Sequence, residues 1–572
     1  MSQNAAVLPF GSPAAAEPSR RHRQASFVSH AKLIGLLTLF SRILGMARES
    51  IAANYFGAGA VWSAFTVAFT IPNLFRKLFG EGALSAAFIP LYAQAVKREE
   101  EDSGIRSEDP SSQAFAAASV NLLCSILIAL TIVGEVILYA LTFLYLRPDY
   151  LLAVKLTAIM LPYVLLVCGT AFLGAILQVH HRFAAITATS IVLNACLIVA
   201  IVAASRFFNL KTEAGQEAGV RWLSYATLIA GVIQILMLLP SLRAVGFRFQ
   251  PILHFWTPAV RRMLTLTLPV ALSAGVLQVS VVLDKGISFM LARSPGHDTF
   301  TLLGRTIALP MAEGAAARLN WSQFLYQFPL GVFAIALATA IFPKLSADAL
   351  DADRTQFKRI LRQGIEASLL IGLPASAGMI LVRYPAVRLL FERGNFTYDD
   401  TVLVARSTAV YAGAIWAFSL QQILNRAYYS LHDTTTPLLL GLGNLAINTL
   451  IELPLLWYKP LAESGMAVGT LVAFSLQAVL MTWMLGRKVG GLGLRQSMPN
   501  LARMLLATAA MCAACYAVQW TSLYPKDLAH SPHKLIWLCQ LTLLMLLGGG
   551  TYFATAAALG LPVLEHVRVR KP

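Results

Sequence analysis

Between Ser26 and Gln94, Arg42, Arg48, Glu49, Arg76, Lys77 and Glu81 interrupt sequence that is otherwise apolar enough to cross a membrane twice. A charge at bilayer depth costs at least about 2.5–3.5 kcal/mol on insertion scales, so such groups face a polar cavity or pair with one another. Spacing favours the cavity. Asn73, Lys77 and Glu81 are four apart and form one helical stripe, and Arg42 and Glu49, seven apart, also share a face. Pro72 removes a backbone donor just ahead of these charges, which predicts a kink. Gly80 and Gly82 loosen the same helix. A bent helix with open backbone is tolerated in a membrane where it lines a water-filled space. The chemistry expected is anion binding in a transport cavity. The competing reading is a set of salt bridges that glue helices together.

A second constellation lies further on. Ser273, Ser280, Asp284 and Ser288 fall near one face of a helix predicted over 260–291, with Lys285 beside Asp284. Asn444 and Asn448 are four apart on another span, and Thr470 lies on the next. Carboxylate, amide and hydroxyl oxygens suit a hard cation, so these residues are expected to form a Na⁺ or proton coupling site. Against that stand neutralisation of Asp284 by Lys285 and pairing with a neighbouring helix. Glu135, Glu366 and Glu452 read as structural, the last two through solvation near helix ends. Cys512 and Cys515 form a C-x-x-C in an Ala-rich helix without further ligands, which points to packing rather than metal or redox chemistry. There is no P-loop and no nucleophile with an evident base, so no enzyme activity and no cofactor is expected.

The elements that must position these residues are membrane helices. The chain has 572 residues, 57% hydrophobic and 13% charged, where a soluble chain carries about 25% charged residues. Fourteen spans are expected, near 28–56, 60–95, 113–146, 150–180, 184–205, 219–242, 260–291, 318–346, 360–384, 399–430, 436–457, 464–486, 500–520 and 534–560. The fold class is therefore an all-α polytopic membrane protein. The net charge of +17 reflects Lys and Arg concentrated on loops that would face the cytoplasm, not a nucleic-acid surface. Both termini are then expected on the cytoplasmic side.

ALSAAFIPLYA (83–93) and ALATAIFPKLS (336–346) superpose Pro90 on Pro343, a faint internal repeat of the kind that builds transporters from two halves. The expected division is a disordered tail over 1–25, a six-helix lobe over 26–242, a linker over 243–262, a pseudo-symmetric six-helix lobe over 263–488, and two added helices within 489–572. The linker mixes Arg with Phe, Trp and Leu, the composition of an amphipathic helix lying in the interface; a plain loop is the alternative.

SRxLGxxRE at Ser41–Glu49 and PNLxRKxxxEGAxSxAFxP at Pro72–Pro90 make a long double motif. In it the chain resembles the lipid II flippase family (MurJ/MviN) of the multidrug/oligosaccharidyl-lipid/polysaccharide exporter superfamily. The resemblance continues, more weakly, to about residue 560. It implies a flippase that carries a polyprenyl-pyrophosphate-linked disaccharide-peptide, lipid II, across a bacterial plasma membrane. Arg42, Arg48, Arg76 and Lys77 would meet the pyrophosphate, with Asn73, Glu49 and Glu81 as partners. The final two helices would offer a groove for the lipid tail. The chain departs from the family pattern at Ser63, Gln323, Phe324 and Gln327, where the family often has carboxylates and one arginine. A related exporter of another polyprenyl-pyrophosphate oligosaccharide or an amphiphile is the alternative. ERGNFTYDD (392–400) resembles a family motif on an outside loop and reads as a folding turn, with HDTTTP (432–437) as its cytoplasmic counterpart.

Overall fold

The computed structural model describes residues 17–80, 83–101, 112–144, 146–250, 256–302, 304–349, 354–521 and 534–561. In the N-terminal half, α1 is Glu17–Phe56, α2 Ala60–Phe75, α3 Ala83–Glu101, α4 Ser112–Leu141, α5 Pro148–Met160, α6 Tyr163–Val179, α7 Phe183–Phe207 and α8 Glu213–Ala244. In the C-terminal half, α9 is Pro258–Met290, α10 Ala315–Pro329, α11 Ile335–Asp348, α12 Thr355–Leu390, α13 Tyr398–Ala412, α14 Ile415–Ser430, α15 Thr435–Leu456, α16 Ser464–Lys488, α17 Met498–Gln519 and α18 Lys534–Ala558. Helices occupy each region where a span is expected. Among the described residues, eight helices are long and apolar enough to cross a membrane, or ten if each bent pair is one span. The shortfall from fourteen falls on α1, α2–α3, α9 and α10–α11, the segments that hold Arg48, Glu49, Lys77, Lys285 and Arg318.

Apolar side chains point outward as well as inward, as a lipid-facing surface requires. On α4, Ile132, Val133, Val136 and Ile137 are all more than half exposed. Breaks within spans have local causes. α5 and α6 meet at a 43° bend, where Pro162 brings no N–H to the first turn of α6. Thr257 caps α9, its side-chain oxygen accepting from Val260 N, and Pro258 opens that helix. A capping box of Thr397 and Asp400 starts α13.

The expected kink after Pro72 is a π-helical turn, Arg76–Gly80, joining α2 towards α3. A second π-helical turn, Leu330–Ala334, joins α10 to α11 just after Pro329. The two turns sit at matching places in the internal repeat, so the repeat extends from sequence to backbone form. Such one-turn bulges tend to occur at functional sites.

Two expectations need correction. α1 begins at Glu17, so residues 17–25 are helical rather than a disordered tail; Arg, Gln and Ala there are good helix formers and extend the apolar helix behind them. Residues 1–16 lie outside the described residues. Of the linker expected as an amphipathic helix, 245–250 are turn and irregular chain and 251–255 lie outside the described residues. Among the described residues, one small antiparallel hairpin, β1 Thr299–Leu302 with β2 Arg305–Ala308, stands on the α9–α10 connection and leaves the fold all-α.

Candidate functional site

A cavity of about 190 Å³ lies where the two halves meet. α1 contributes Arg48 and Glu49; α2 and its π-helical turn contribute Thr66, Thr70, Asn73 and Lys77. From the other half, α9 brings Gln278 and Lys285, and α10 brings Asn320, Gln323, Phe324 and Gln327. Charge and amides therefore line it from both sides. The π-helical turn matters here because it rotates Lys77 to the cavity while its neighbour Arg76 turns elsewhere.

Glu49 is held on two sides. Arg48 Nη2 donates to its Oε1 at 2.5 Å, and the Trp321 indole N–H donates to its Oε2 at 3.0 Å. Trp321 is fully buried and stacks with Trp62. The carboxylate thus fixes the Arg48 guanidinium at the cavity wall and ties α1 to α10 at the same time.

Of the residues expected to bind anion, Arg48, Glu49, Asn73 and Lys77 come together at this cavity. Arg42 and Arg76 do not line it. Arg76 Nε donates to Asn73 Oδ1 at 3.0 Å, which orients that amide. The Arg42 guanidinium lies over Gly331 in the second π-helical turn; a Cβ at Gly331 would stand 2.1 Å from Arg42 Nη1. Glu81 lies outside the described residues. The positions where the chain departs from the family pattern have new roles. Ser63 Oγ accepts from Ala317 N at 3.2 Å across the halves, and Gln323 donates to the Tyr411 hydroxyl at 3.2 Å.

Neutralisation of Asp284 by Lys285 is the alternative set against the coupling site in the sequence. In the structure the Lys285 Nζ donates to Asn320 Oδ1 at 2.8 Å on the cavity wall. Adjacent positions on a helix point about 100° apart, so the two charges serve different faces of α9.

Asp284 faces the second constellation. Asn448 Nδ2 donates to Asp284 Oδ1 at 3.1 Å and to Glu452 Oε2 at 3.2 Å. Asn444, Asn448 and Glu452 are each buried on α15, and Thr470 is buried on α16. Glu452, expected at a solvated helix end, is fully buried. The i, i+4 series Asn444, Asn448, Glu452 was the signal for it. Among the described residues, Glu452 Oε1 and Asn448 Oδ1 are buried acceptors with no protein donor. Orphan oxygens of this kind fit a small hard cation or a proton. Among the described residues, no group of three or more His, Cys, Asp or Glu could hold a metal.

Arg318, missed in the sequence, is another buried charge. Its guanidinium meets Glu463 at 2.9 Å and Asp400 at 3.2 Å, joining α10, α13 and the start of α16. Near the α1–α2 turn the halves are sewn together. Asn395 N donates to Asn54 O at 2.9 Å, and its side-chain amide donates to Tyr55 O at 2.6 Å and Leu210 O at 2.9 Å. Gly57, Gly314 and Gly394 all have positive φ there. A Cβ on any of them would lie within 2.4 Å of a carbonyl oxygen from the other half. ERGN is therefore a seam between halves as well as a turn.

The family described as lipid II flippase MurJ matches residues 52–529. The chain belongs to the MurJ family. The probable lipid II flippase MurJ of Rhizobium tropici is 30% identical over 545 residues, covering 94% of this chain and 95% of that protein. That of Rhizobium meliloti is 29% identical over 557 residues, with 95% and 96% covered. In fold, the chain matches a solved lipid II flippase MurJ in an inward closed conformation, with TM-score 0.72 and 20% identity over 94% of this chain and all of that one (100%). An inward-facing multidrug resistance MATE family transporter of the MOP superfamily matches at TM-score 0.58 and 13% identity, covering 81% and 98%. The MurJ family is one of transporters, and this member is a multi-pass membrane protein.

Proposed function

We propose that this chain flips lipid II, a polyprenyl-diphosphate-linked peptidoglycan precursor, from the inner to the outer leaflet of a bacterial plasma membrane. The observation that carries the proposal is a cationic, amide-lined cavity between two halves of a MurJ-family chain. Arginine offers planar paired donors and lysine a point charge, and both suit phosphate oxygens. Arg48 and Lys77 would meet the diphosphate. Asn73, Gln278, Gln323 and Gln327 offer neutral donors and acceptors for sugar and peptide. The polyprenyl tail would stay among membrane lipids, along α17 and α18.

Alternating access would follow from rocking of the lobes 26–242 and 263–488 about the cavity. Fourteen crossings with both termini cytoplasmic fit this scheme and the excess of Lys and Arg on one set of loops. Asp284, Asn448 and Glu452, with Asn444 and Thr470 beside them, would hold the coupling Na⁺ or proton. A bound cation there would neutralise two buried carboxylates and steady α9 against α15. A second reading, export of another polyprenyl-diphosphate oligosaccharide or amphiphile, is favoured by the neutral Gln323, Phe324 and Gln327.

Complementation tests the proposal. The gene should restore growth to a bacterium depleted of its own lipid II flippase, and Arg48→Gln should abolish the rescue while membrane levels stay normal. Absence of rescue by the well-expressed wild type would favour the second reading. Asp284→Asn should remove the dependence of flux on Na⁺ or pH; unchanged flux and unchanged cation dependence would end the coupling assignment.

A further inference from the structure

The C-terminal half brings one cation to the cavity wall, Lys285. Its ammonium has three donors, and the side-chain oxygen of Asn320 takes one at 2.8 Å. Asn320 is neutral, so the amide steers the ammonium without cancelling its charge. Glu49, which lines the same cavity, is already engaged by Arg48 and Trp321. Among the described lining residues, Arg48, Lys77 and Lys285 are cationic and Glu49 is the carboxylate. An ammonium kept in a membrane-embedded wall without a dedicated counter-ion is costly unless an anion arrives to meet it.

The placement is also asymmetric. Arg48 and Lys77 come from the N-terminal half, and Lys285 from α9 of the C-terminal half. A single phosphate seated on Arg48 and Lys77 is served from one half. A diphosphate has a second charged centre that can reach a cation of the other half. We propose that Lys285 is the specificity-determining residue of the cavity, the C-terminal half's contact to the second phosphate, and that it makes binding select a lipid diphosphate over a monophosphate. Resting on the flippase reading above, this adds which residue reads the diphosphate and from which half. It also means that the bound anion bridges the halves.

The experiment uses the full-length protein in lipid nanodiscs with two probes of equal chain length, polyprenyl diphosphate and polyprenyl monophosphate. Wild type should bind the diphosphate roughly ten- to a hundredfold more tightly, the span expected for one or two charge-assisted hydrogen bonds. Lys285→Gln keeps a donor for Asn320 and removes the charge. It should bring the two affinities within about threefold by weakening the diphosphate alone. Lys285→Arg should keep the preference, and Lys285→Met, which removes a buried charge at similar length, should behave like Lys285→Gln should the latter fold poorly. Arg48→Gln should weaken both probes. If Lys285→Gln and Lys285→Met keep the wild-type preference while Arg48→Gln loses affinity, the assignment of Lys285 is overturned and the flippase reading stands. If wild type binds neither probe, both fall.

Discussion

One indole N–H sets how the anion-binding wall is built. Trp321 donates to Glu49 Oε2, and Glu49 in turn holds Arg48. Trp321→Phe keeps most of the packing and strands one buried carboxylate oxygen, which costs about 1–3 kcal/mol. Thermal unfolding in detergent should show that loss, and Glu49→Gln should lose less when combined with it than alone. Gly331 gives a contrasting case. Its Cβ would strike the end of the Arg42 side chain, which can move aside. Gly331→Ala should therefore leave the melting temperature nearly unchanged and impair transport through a displaced Arg42; a large drop in stability would contradict this. At this scale the sequence was legible where charges sit inside an apolar span and share a helical stripe with other polar groups, as with Arg48 and Lys77, which both line the cavity. It did not resolve neighbours that diverge along a helix. Arg76 beside Lys77 and Lys285 beside Asp284 are adjacent in sequence and separated by the turn of the helix.

Elements were legible because apolar runs and prolines act locally. The apolar spans and the kink near Pro72 follow from residues within one turn of them, whereas the second π-helical turn after Pro329 came from the structure. What a turn touches is decided far away, which is why ERGN read as a turn and not as a seam. The same holds for Glu452, whose burial depends on α16 packing Gly469 against Asn448 and Glu452. The turn before α15 carries a testable ion pair. Asp433 accepts from Lys488 at 2.6 Å and from Thr436 N at 2.9 Å. Burial opposes its charge, but Lys488 and Thr436 outweigh that and hold the carboxyl below its usual range. A depressed carboxyl contributes fully above its ordinary value near about pH 4 and loses its contribution as pH falls through the folded value. Asp433→Asn should thus cost about 0.5–1 kcal/mol at pH 7, since Lys488 is partly exposed. Melting curves of mutant and wild type should converge as pH falls below the carboxyl's folded value; a gap that persists there would locate the cause elsewhere.

For the whole molecule, the cavity of about 190 Å³ is the telling dimension. Pockets for drug-sized ligands run to about 300–1,000 Å³, so a glycopeptide head group needs the halves to part. The seam at the α1–α2 turn is what must open. Asn395→Ala removes two side-chain hydrogen bonds to Tyr55 and Leu210, about 1–3 kcal/mol in total. That is enough to shift a two-state equilibrium roughly five- to hundredfold. Spin labels placed across the seam should report a larger separated population in this variant, and an unchanged distance distribution would refute the idea. The Asn395 bonds at that seam reach carbonyl oxygens of the main chain, which neither titrate nor exchange ions. Acidifying the medium or changing its salt therefore gives no handle on those three bonds. A chemical cue that times their release has to be sensed at charged groups, and the Glu313 carboxylate, which accepts from Ala60 N across the same seam, stands within reach of them.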